Sequence, residues 1–386
     1  MSSASPSPIS FEIHHTASDC NARTGTVCTP HGSFQTPAFM PVGTKASVKG
    51  LLPNLVRETG SEIILNNTYH LMLRPGADLI RKMGGVHEFM RWNAPILTDS
   101  GGYQAFSMSD INQINDDGVT FKSIIDGRSI HLTPEEATRI QNDLGADVIM
   151  AFDDCPPAER TADSPQHHAR RLDEANERTI RWLERCAKAH ARPDDQALFG
   201  IVQGGTDLDR RTRSARQIGG IELPGYAIGG VAVGEGTEEI RRVVQHTAPL
   251  LPIEKPRYLM GIGYEWDILA AVRAGVDMFD CVLPTRNGRN STAFTRSGRL
   301  KLRNASYADD PRPIEADCPC QACQSGFSRG YLRHLFMAGE MLGPILVSVH
   351  NIAHFQRLMA DIRRSIVNDD WLALESDWSV LSAPAN

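Results

Sequence analysis

The stretch Asp147-Val148-Ile149-Met150-Ala151-Phe152-Asp153 sets the reading of this chain, because five apolar residues stand there between two aspartates. That is the length of one strand, and an unbroken apolar run suits a strand covered on both faces. Seven further runs share the form, most of them ending in a polar residue or glycine: Ala38–Gly43, Glu62–Asn67, Pro95–Gly101, Ala197–Gly204, Tyr226–Gly230, Arg257–Gly263 and Met278–Pro284. Several of the intervening segments carry helical patterning, as in Pro134–Leu144, Ala169–Ala187, Asp209–Ile218 and Glu238–Ala248. Strand and helix alternating about eight times predicts an α/β chain folded as a closed (β/α)8 barrel. The active site of that fold lies at the carboxyl ends of the strands. This sequence puts Asn67, Asp99, Asp153, Gln203, Gly230 and Asp280 there. Each taken alone could be a helix cap or a strand-end turn. Three carboxylates converging on one barrel mouth point to an enzyme.

At 386 residues the chain exceeds one barrel of about 250, so insertions are expected. Residues 11–35 read as an antiparallel entry, with Thr24–Val27 and Ser33–Thr36 flanking Pro30-His31-Gly32, a plug for the bottom of the barrel. Ala105–Ser129 breaks the rhythm after the third strand. Its pattern, Gly118–Ser123 and then Asp126-Gly127, predicts a hairpin at the mouth. The rhythm breaks again from Thr292 to His350. Strand-like Ala293–Thr295 and Leu300–Leu302 lead there into a cysteine cluster, a helix over Gly330–Leu342 and a strand-like run, Ile345–Val349. The helical stretch Ile352–Trp378 would close the ring. The economical organisation is one barrel over residues 11–375 with a zinc-binding subdomain embedded at 292–350.

Met1–Ser10 is polar and rich in Ser and Pro, with neither the basic start nor the apolar core of a signal peptide. It reads as a disordered tail, and the chain as cytoplasmic with reduced thiols and no membrane partner. Cys20, Cys28 and Cys186 are then scattered free thiols. Cys155 and Cys281 follow strand-end aspartates and are expected to pack behind the site. The net charge of −6 hides a local reversal. Between Cys281 and Ala308 stand Arg286, Arg289, Arg296, Arg299, Lys301 and Arg303 with no acidic residue, a docking surface for a polyanion.

Cys318-x-Cys320-x2-Cys323 and His350 supply three thiolates and one imidazole, the donor set of a tetrahedral Zn²⁺ site. Four protein ligands leave no open position, so one structural zinc per chain is expected, tying the basic insertion to the barrel. His334 competes for the fourth place, but it falls within the expected helix Gly330–Leu342.

The runs Leu97-Thr98-Asp99-Ser100-Gly101-Gly102-Tyr103-Gln104, Phe152-Asp153-Asp154-Cys155, Val202-Gln203-Gly204-Gly205, Gly229-Gly230-Val231-Ala232-Val233-Gly234-Glu235 and Phe279–Arg289 closely resemble the motifs of bacterial tRNA-guanine transglycosylases. With the zinc cluster, the resemblance covers about residues 11–375. It implies exchange of guanine at the wobble position of tRNAs with GUN anticodons (those for Asp, Asn, His and Tyr) for prequeuosine-1, a step of queuosine biosynthesis. Queuine is the alternative incoming base. It also implies a homodimer.

The resemblance assigns Asp280 as the nucleophile that holds the tRNA covalently and Asp99 as the general acid/base. Two carboxylates in distinct roles suit cleavage of a glycosidic bond with retention. It assigns the base pocket to Ser100, Gly101, Gly102, Tyr103, Asp153, Gln203, Gly230 and Met260. There Asp153 accepts from the guanine edge, Gln203 and the Gly230 amide read O6, and Tyr103 and Met260 sandwich the ring. RNA contacts are implied for Gly261, Ile262, Gly263, Tyr264, Glu265, Trp266 and Asp267, and for Thr285, Arg286, Asn287, Gly288 and Arg289. Three positions depart from the family pattern. Asp154 stands for a usual Glu, Glu265 for a loop proline, and Asn290-Ser291 for Asn-Gly. Val233 is the residue expected in bacterial members.

Overall fold

The computed structural model describes residues 7–108, 111–156 and 164–382. Eight parallel strands close into a barrel: β1 Ala38–Gly43, β2 Ile64–Asn66, β3 Ile96–Thr98, β4 Val148–Met150, β5 Ala197–Val202, β6 Gly225–Ile228, β7 Arg257–Leu259 and β8 Met278–Cys281. Sequence order is the order around the ring, and β8 pairs with β1 to close it. Each strand is shorter than or equal to the apolar run that announced it, apart from the entry of β6 at Gly225. Asn67, Asp99, Asp153 and Gln203 stand beyond the last paired residue of their strands, whereas Asp280 is paired with Met40 inside β8.

Alternating side chains divide two cores. Ala38, Met40, Val42, Leu65, Leu97, Val148, Met150, Phe199, Ile201, Tyr258 and Met278 fill the interior. Phe39, Ile64, Ile96, Ile149, Leu198, Ile228 and Phe279 face the outer helices. Interior space is tight: a Cβ on Gly225 would stand 2.2 Å from the Phe199 ring, which is why β6 starts on glycine. Ile9, Val27 and Phe34 join the interior cluster from a three-stranded antiparallel sheet, Ser10–Thr16, Arg23–Thr29 and Gly32–Thr36. That sheet is the expected plug at the amino-terminal end. Of the tail expected over residues 1–10, positions 1–6 lie outside the described residues, while Ile9 is buried and Ser10 opens the sheet.

The insertion after β3 is larger than the two-stranded hairpin expected. It is a three-stranded sheet, Ile111–Ile114, Val119–Lys122 and Ser129–Leu132. The Pro165–Ala189 helix pins its turn, since Trp182 Nε1 and Arg185 donate to the Asp116 carbonyl and Arg181 pairs with the Asp116 carboxylate.

The second insertion departs from expectation in one element. Ile345–Val349 is not a strand but the second turn of a 27-residue helix, Leu342–Asn368. Val347 and Val349, on opposite sides of the helix, are both buried and Ile345 is partly so, and burial overrides their weak preference against helix. The expected helix Gly330–Leu342 is observed as Arg329–Ala338, and the last stretch as the remainder of Leu342–Asn368 plus Trp371–Asp377. The long helix closes the ring against β1: Phe355 stacks on Phe39 at 4.7 Å, and Gln356 Nε2 donates to the Phe39 carbonyl. Among the described residues, no helix is long and apolar enough to cross a membrane.

Candidate active site at the barrel mouth

Asp99 stands immediately after β3 and is 6% exposed. Its carboxylate accepts from Asn67 Nδ2, from the Thr68 amide at 2.8 Å and from Gln104 Nε2 at 2.8 Å. Two of those donors belong to the end of β2, where Asn67 precedes the Thr68–Leu73 helix and leaves the Thr68 amide free to donate. Burial nevertheless pushes the Asp99 carboxyl up to about 6, against the Asn67 and Thr68 hydrogen bonds and with the charge of Asp280 adding to the rise. A carboxyl so placed exchanges protons near neutrality.

Asp280 lies within β8, one residue from its end. Tyr258 Oη on the adjacent β7 donates to Oδ1 at 2.6 Å, and the Gly261 amide donates to the same oxygen at 2.8 Å. Both bonds fall on Oδ1, so among the described residues Oδ2 is left without a donor. Burial raises the Asp280 carboxyl above its ordinary value, and the two hydrogen bonds oppose that rise. The result is an oriented carboxylate with one uncommitted oxygen, the requirement for an oxygen nucleophile.

Asp153 follows β4 and is 5% exposed. Gln203 Nε2, just past the end of β5, donates to Oδ2 at 2.6 Å, and Ser100 Oγ lies 3.4 Å from Oδ1. Burial pushes this carboxyl up to about 7, Gln203 pulls against it, and the charge of neighbouring Asp154 adds to the rise. Asp154 is itself fully buried and held by two arginines of the Pro165–Ala189 helix, Arg171 at 2.6 and 2.8 Å and Arg178 at 2.6 Å. The departure at position 154 therefore ties the strand end to that helix.

Gly230 has φ +61°, a conformation that favours glycine, and a Cβ there would meet Gln203 Oε1 at 2.1 Å. Gln203 and Gly230 are thus packed against each other. Glu235 accepts from the amides of Ala232 at 2.6 Å and Val233 at 2.8 Å, closing the following loop. Gly101 and Gly102 fit the backbone between the Tyr69 amide and the Phe152 ring. Tyr103 is 45% exposed at the mouth and Met260 is half-buried just past the end of β7. Burial pushes the Cys155 and Cys281 thiols up to about 12, so neither is a thiolate near neutrality and both pack behind the site.

The sequence-expected RNA segments divide by exposure. Gly261 and Arg286 are exposed, while Tyr264, Asn287 and Arg289 are half-buried. Ile262, Gly263, Glu265, Trp266, Asp267, Thr285 and Gly288 are buried. Glu265 is 1% exposed and its carboxylate accepts from His354 Nε2 at 2.8 Å, so this departure is turned into the protein. Arg299 lies over both Tyr264 and Trp266, which stack in parallel at 5.0 Å.

Cys318, Cys320, Cys323 and His350 form one buried cluster. The three sulfurs lie 3.5, 3.6 and 3.4 Å from His350 Nδ1. Tetrahedral zinc with ordinary Zn–S and Zn–N bonds spaces S and N by about 3.5 Å, so the donor set and its spacing fit one Zn²⁺. His350 Nε2 lies 2.7 Å from the Phe294 carbonyl, the outer contact that fixes the ring. Next on the helix, Asn351 donates to the Pro284 and Thr292 carbonyls and accepts from the Phe294 amide. Gly288 packs against Ser348, where a Cβ would come within 2.8 Å. The helix that bears His350 therefore carries the Thr285–Arg289 segment on its flank.

Sequence reasoning missed the residues that hold the site in shape. Thr68 and Tyr258 gave no signal beyond a helix start and a core aromatic. Arg211, 0% exposed in the Leu208–Gly219 helix, looked like any polar residue of an amphipathic pattern.

Fold and site together define a (β/α)8-barrel enzyme with three carboxylates, Asp99, Asp153 and Asp280, gathered at the mouth from three separate strands. A family model for queuine tRNA-ribosyltransferase matches residues 18–381. Similar curated proteins include the queuine tRNA-ribosyltransferase of Synechococcus elongatus, 50% identical over 382 residues, which covers 98% of this chain and 97% of that one. That of Halalkalibacterium halodurans is 49% identical, covering 96% of each chain. That of Acetivibrio thermocellus is 50% identical, covering 96% and 97%. The chain belongs to the queuine tRNA-ribosyltransferase family.

Proposed function

We propose that the protein exchanges guanine at the wobble position of GUN-anticodon tRNAs for prequeuosine-1. The carrying observation is that the three mouth carboxylates differ in their partners: among the described residues Asp280 keeps a free oxygen, burial pushes Asp99 up to about 6, and Asp153 accepts from Gln203 on one oxygen. Asp280 Oδ2 attacks ribose C1′ as the C1′–N9 bond breaks through an oxocarbenium-like transition state. The departing guanine takes a proton from Asp99. About a tenth of Asp99 carries that proton at pH 7 when its pKa is near 6, far more than for an ordinary carboxyl. The incoming base returns a proton to Asp99 and displaces Asp280 from C1′, so configuration is retained. Asp153 accepts from N1–H and the exocyclic amine, while Gln203 and the Gly230 amide meet O6. The wobble nucleotide must leave the anticodon stack to reach these groups.

Zinc would be held by Cys318, Cys320, Cys323 and His350, supplying folding energy to the module behind Thr285–Arg289 and no step of the reaction. The exposed Met337, Met341 and Leu342 beside that module support a homodimer. The test incubates the protein with GUN-anticodon tRNA carrying labelled guanine and offers prequeuosine-1, queuine or guanine in turn. Release with prequeuosine-1, and a denaturant-resistant protein–RNA adduct, is expected. Faster release with queuine would reassign the base, and release from free guanosine without tRNA would overturn the reading.

A further inference from the structure

Among the described residues Arg211 is buried without a carboxylate partner, although an unpaired buried cation is among the least tolerated groups in a protein interior. Its guanidinium instead donates to four backbone carbonyls: Nε to Gly205 at 2.8 Å, Nη1 to Val202 at 3.1 Å and to Gly229 at 2.7 Å, and Nη2 to Gly230 at 2.8 Å. These carbonyls lie at the ends of β5 and β6, the two strands that lead to Gln203 and Gly230. Burial lowers the Arg211 pKa to about 10, still well above neutrality, so the fork stays charged.

The peptide plane turns this fork into a device. In a trans peptide the carbonyl of one residue and the amide of the next point in opposite directions. Fixing the Gly229 carbonyl on Arg211 therefore fixes the Gly230 N–H pointing away from it. Fixing the Gly230 carbonyl does the same for the Val231 N–H. Two successive carbonyls reach one guanidinium when the residue between them has helical torsions, and Gly230 supplies the left-handed form at φ +61°. Its glycine is thus required by torsion and by the Gln203 contact together. A lysine could not reproduce this, since a point charge lacks the planar fork.

We propose that Arg211 is a specificity-determining positioning residue, which aims the Gly230 amide at the carbonyl oxygen of the purine. It touches no reacting atom. The inference rests on the proposed base pocket, in which the Gly230 N–H meets O6.

The test compares competitive inhibition by guanine and by 6-thioguanine, which keeps N1–H and the exocyclic amine but replaces the strong oxygen acceptor with sulfur. The native protein should bind guanine about tenfold more tightly, the worth of one well-aimed hydrogen bond. In Arg211→Lys that preference should shrink to within about twofold through weaker guanine binding, with zinc content unchanged. In Arg211→Gly, added guanidinium ion should restore it. If the native protein shows no preference, the O6 reading of the pocket fails. If the native protein prefers guanine and both variants keep that preference, the assignment of Arg211 fails while the pocket stands. A variant that loses affinity for both bases equally, with no rescue by guanidinium, marks Arg211 as a fold residue and overturns the proposal.

Discussion

Strands β4 and β8 each have an aspartate towards both ends, and the two ends have opposite fates. At the bottom, Asp147 precedes β4 and Asp277 precedes β8. Asp147 accepts from His31 Nδ1, His87 Nε2 and the amides of Ile96 and His31. Asp277 takes both teeth of Arg23, at 2.9 and 2.7 Å, and the Arg257 amide at 2.8 Å. At the top, Asp153 has Gln203 and a long contact to Ser100, and Asp280 has two donors on one oxygen. The residue type and the strand are the same. At Asp153 and Asp280 the deficit of partners leaves each carboxylate poised to take a proton or a ligand, whereas the saturated pair at the bottom are rivets.

Exchanging each kind of aspartate for its neutral isostere gives the sharpest break between them. Asp280→Asn should lower base exchange by on the order of 10⁴-fold and abolish the denaturant-resistant adduct, with RNA binding and thermal stability little changed. Asp277→Asn should do the reverse, since it strands Arg23 beneath the barrel. Breaking such a buried pair destabilises by about 3–5 kcal/mol. The surviving folded protein should turn over normally. Denaturant melts and single-turnover exchange on both variants check this. An adduct that persists in Asp280→Asn would move the nucleophile elsewhere, Asp99 first, and erase the contrast.

The proposed zinc module sharpens the comparison from the side. Removing the metal, or Cys320→Ala, should weaken tRNA binding by tenfold or more while leaving the base pocket able to bind guanine, because the module braces Thr285–Arg289 and not Asp153. Filter binding of an anticodon stem-loop, set beside guanine titration, separates the two. Equal loss of both would show that the module supports the whole mouth.

The fold was legible because a parallel barrel writes most strands as an apolar run closed by a polar residue or glycine, and Asp99 and Asp153 sit at such closures while Asp280 stands inside its strand. What was not legible follows from physics that leaves no pattern in sequence. Ile345–Val349 read as a strand because a buried helix segment and a buried strand share composition, and the period is lost over five residues. The third strand of the insertion, Ile111–Ile114, is too short and polar to announce itself. Arg211 and Tyr258 were invisible because their importance lies in what a side chain meets on a neighbouring element, Gly229 and Asp280, not in their own sequence neighbourhoods. Glu265 stood out as a departure, yet its partner His354 lies 89 positions away.

The smallest expected effect is also the one in which the two barrel ends should part in sign. Asp153 must be ionised to accept two N–H groups from guanine, and burial places its free-pocket pKa near 7. Guanine affinity should therefore be level above pH 8 and fall about tenfold between pH 8 and pH 6, as protonation competes with the base. The bottom carboxylate cannot follow. Although burial works to raise it, the His31 and His87 contacts hold Asp147 well below the usual carboxylate range. Its stabilising contribution is present above the unfolded value of about 3.9 and is lost only on acidification below that. His31 is raised, first through its hydrogen bond to Asp147, so its contribution is fully present below the unfolded value of about 6.5 and is lost as pH climbs through the folded one. That imidazole is half-exposed, which keeps the contribution small. From pH 8 to pH 6 the barrel should therefore hold its melting temperature or gain slightly while guanine affinity drops. Calorimetric melts and guanine titrations in the same buffers decide the point: affinity and melting temperature falling together would trace the loss to acid weakening of the whole fold, not to a proton on Asp153.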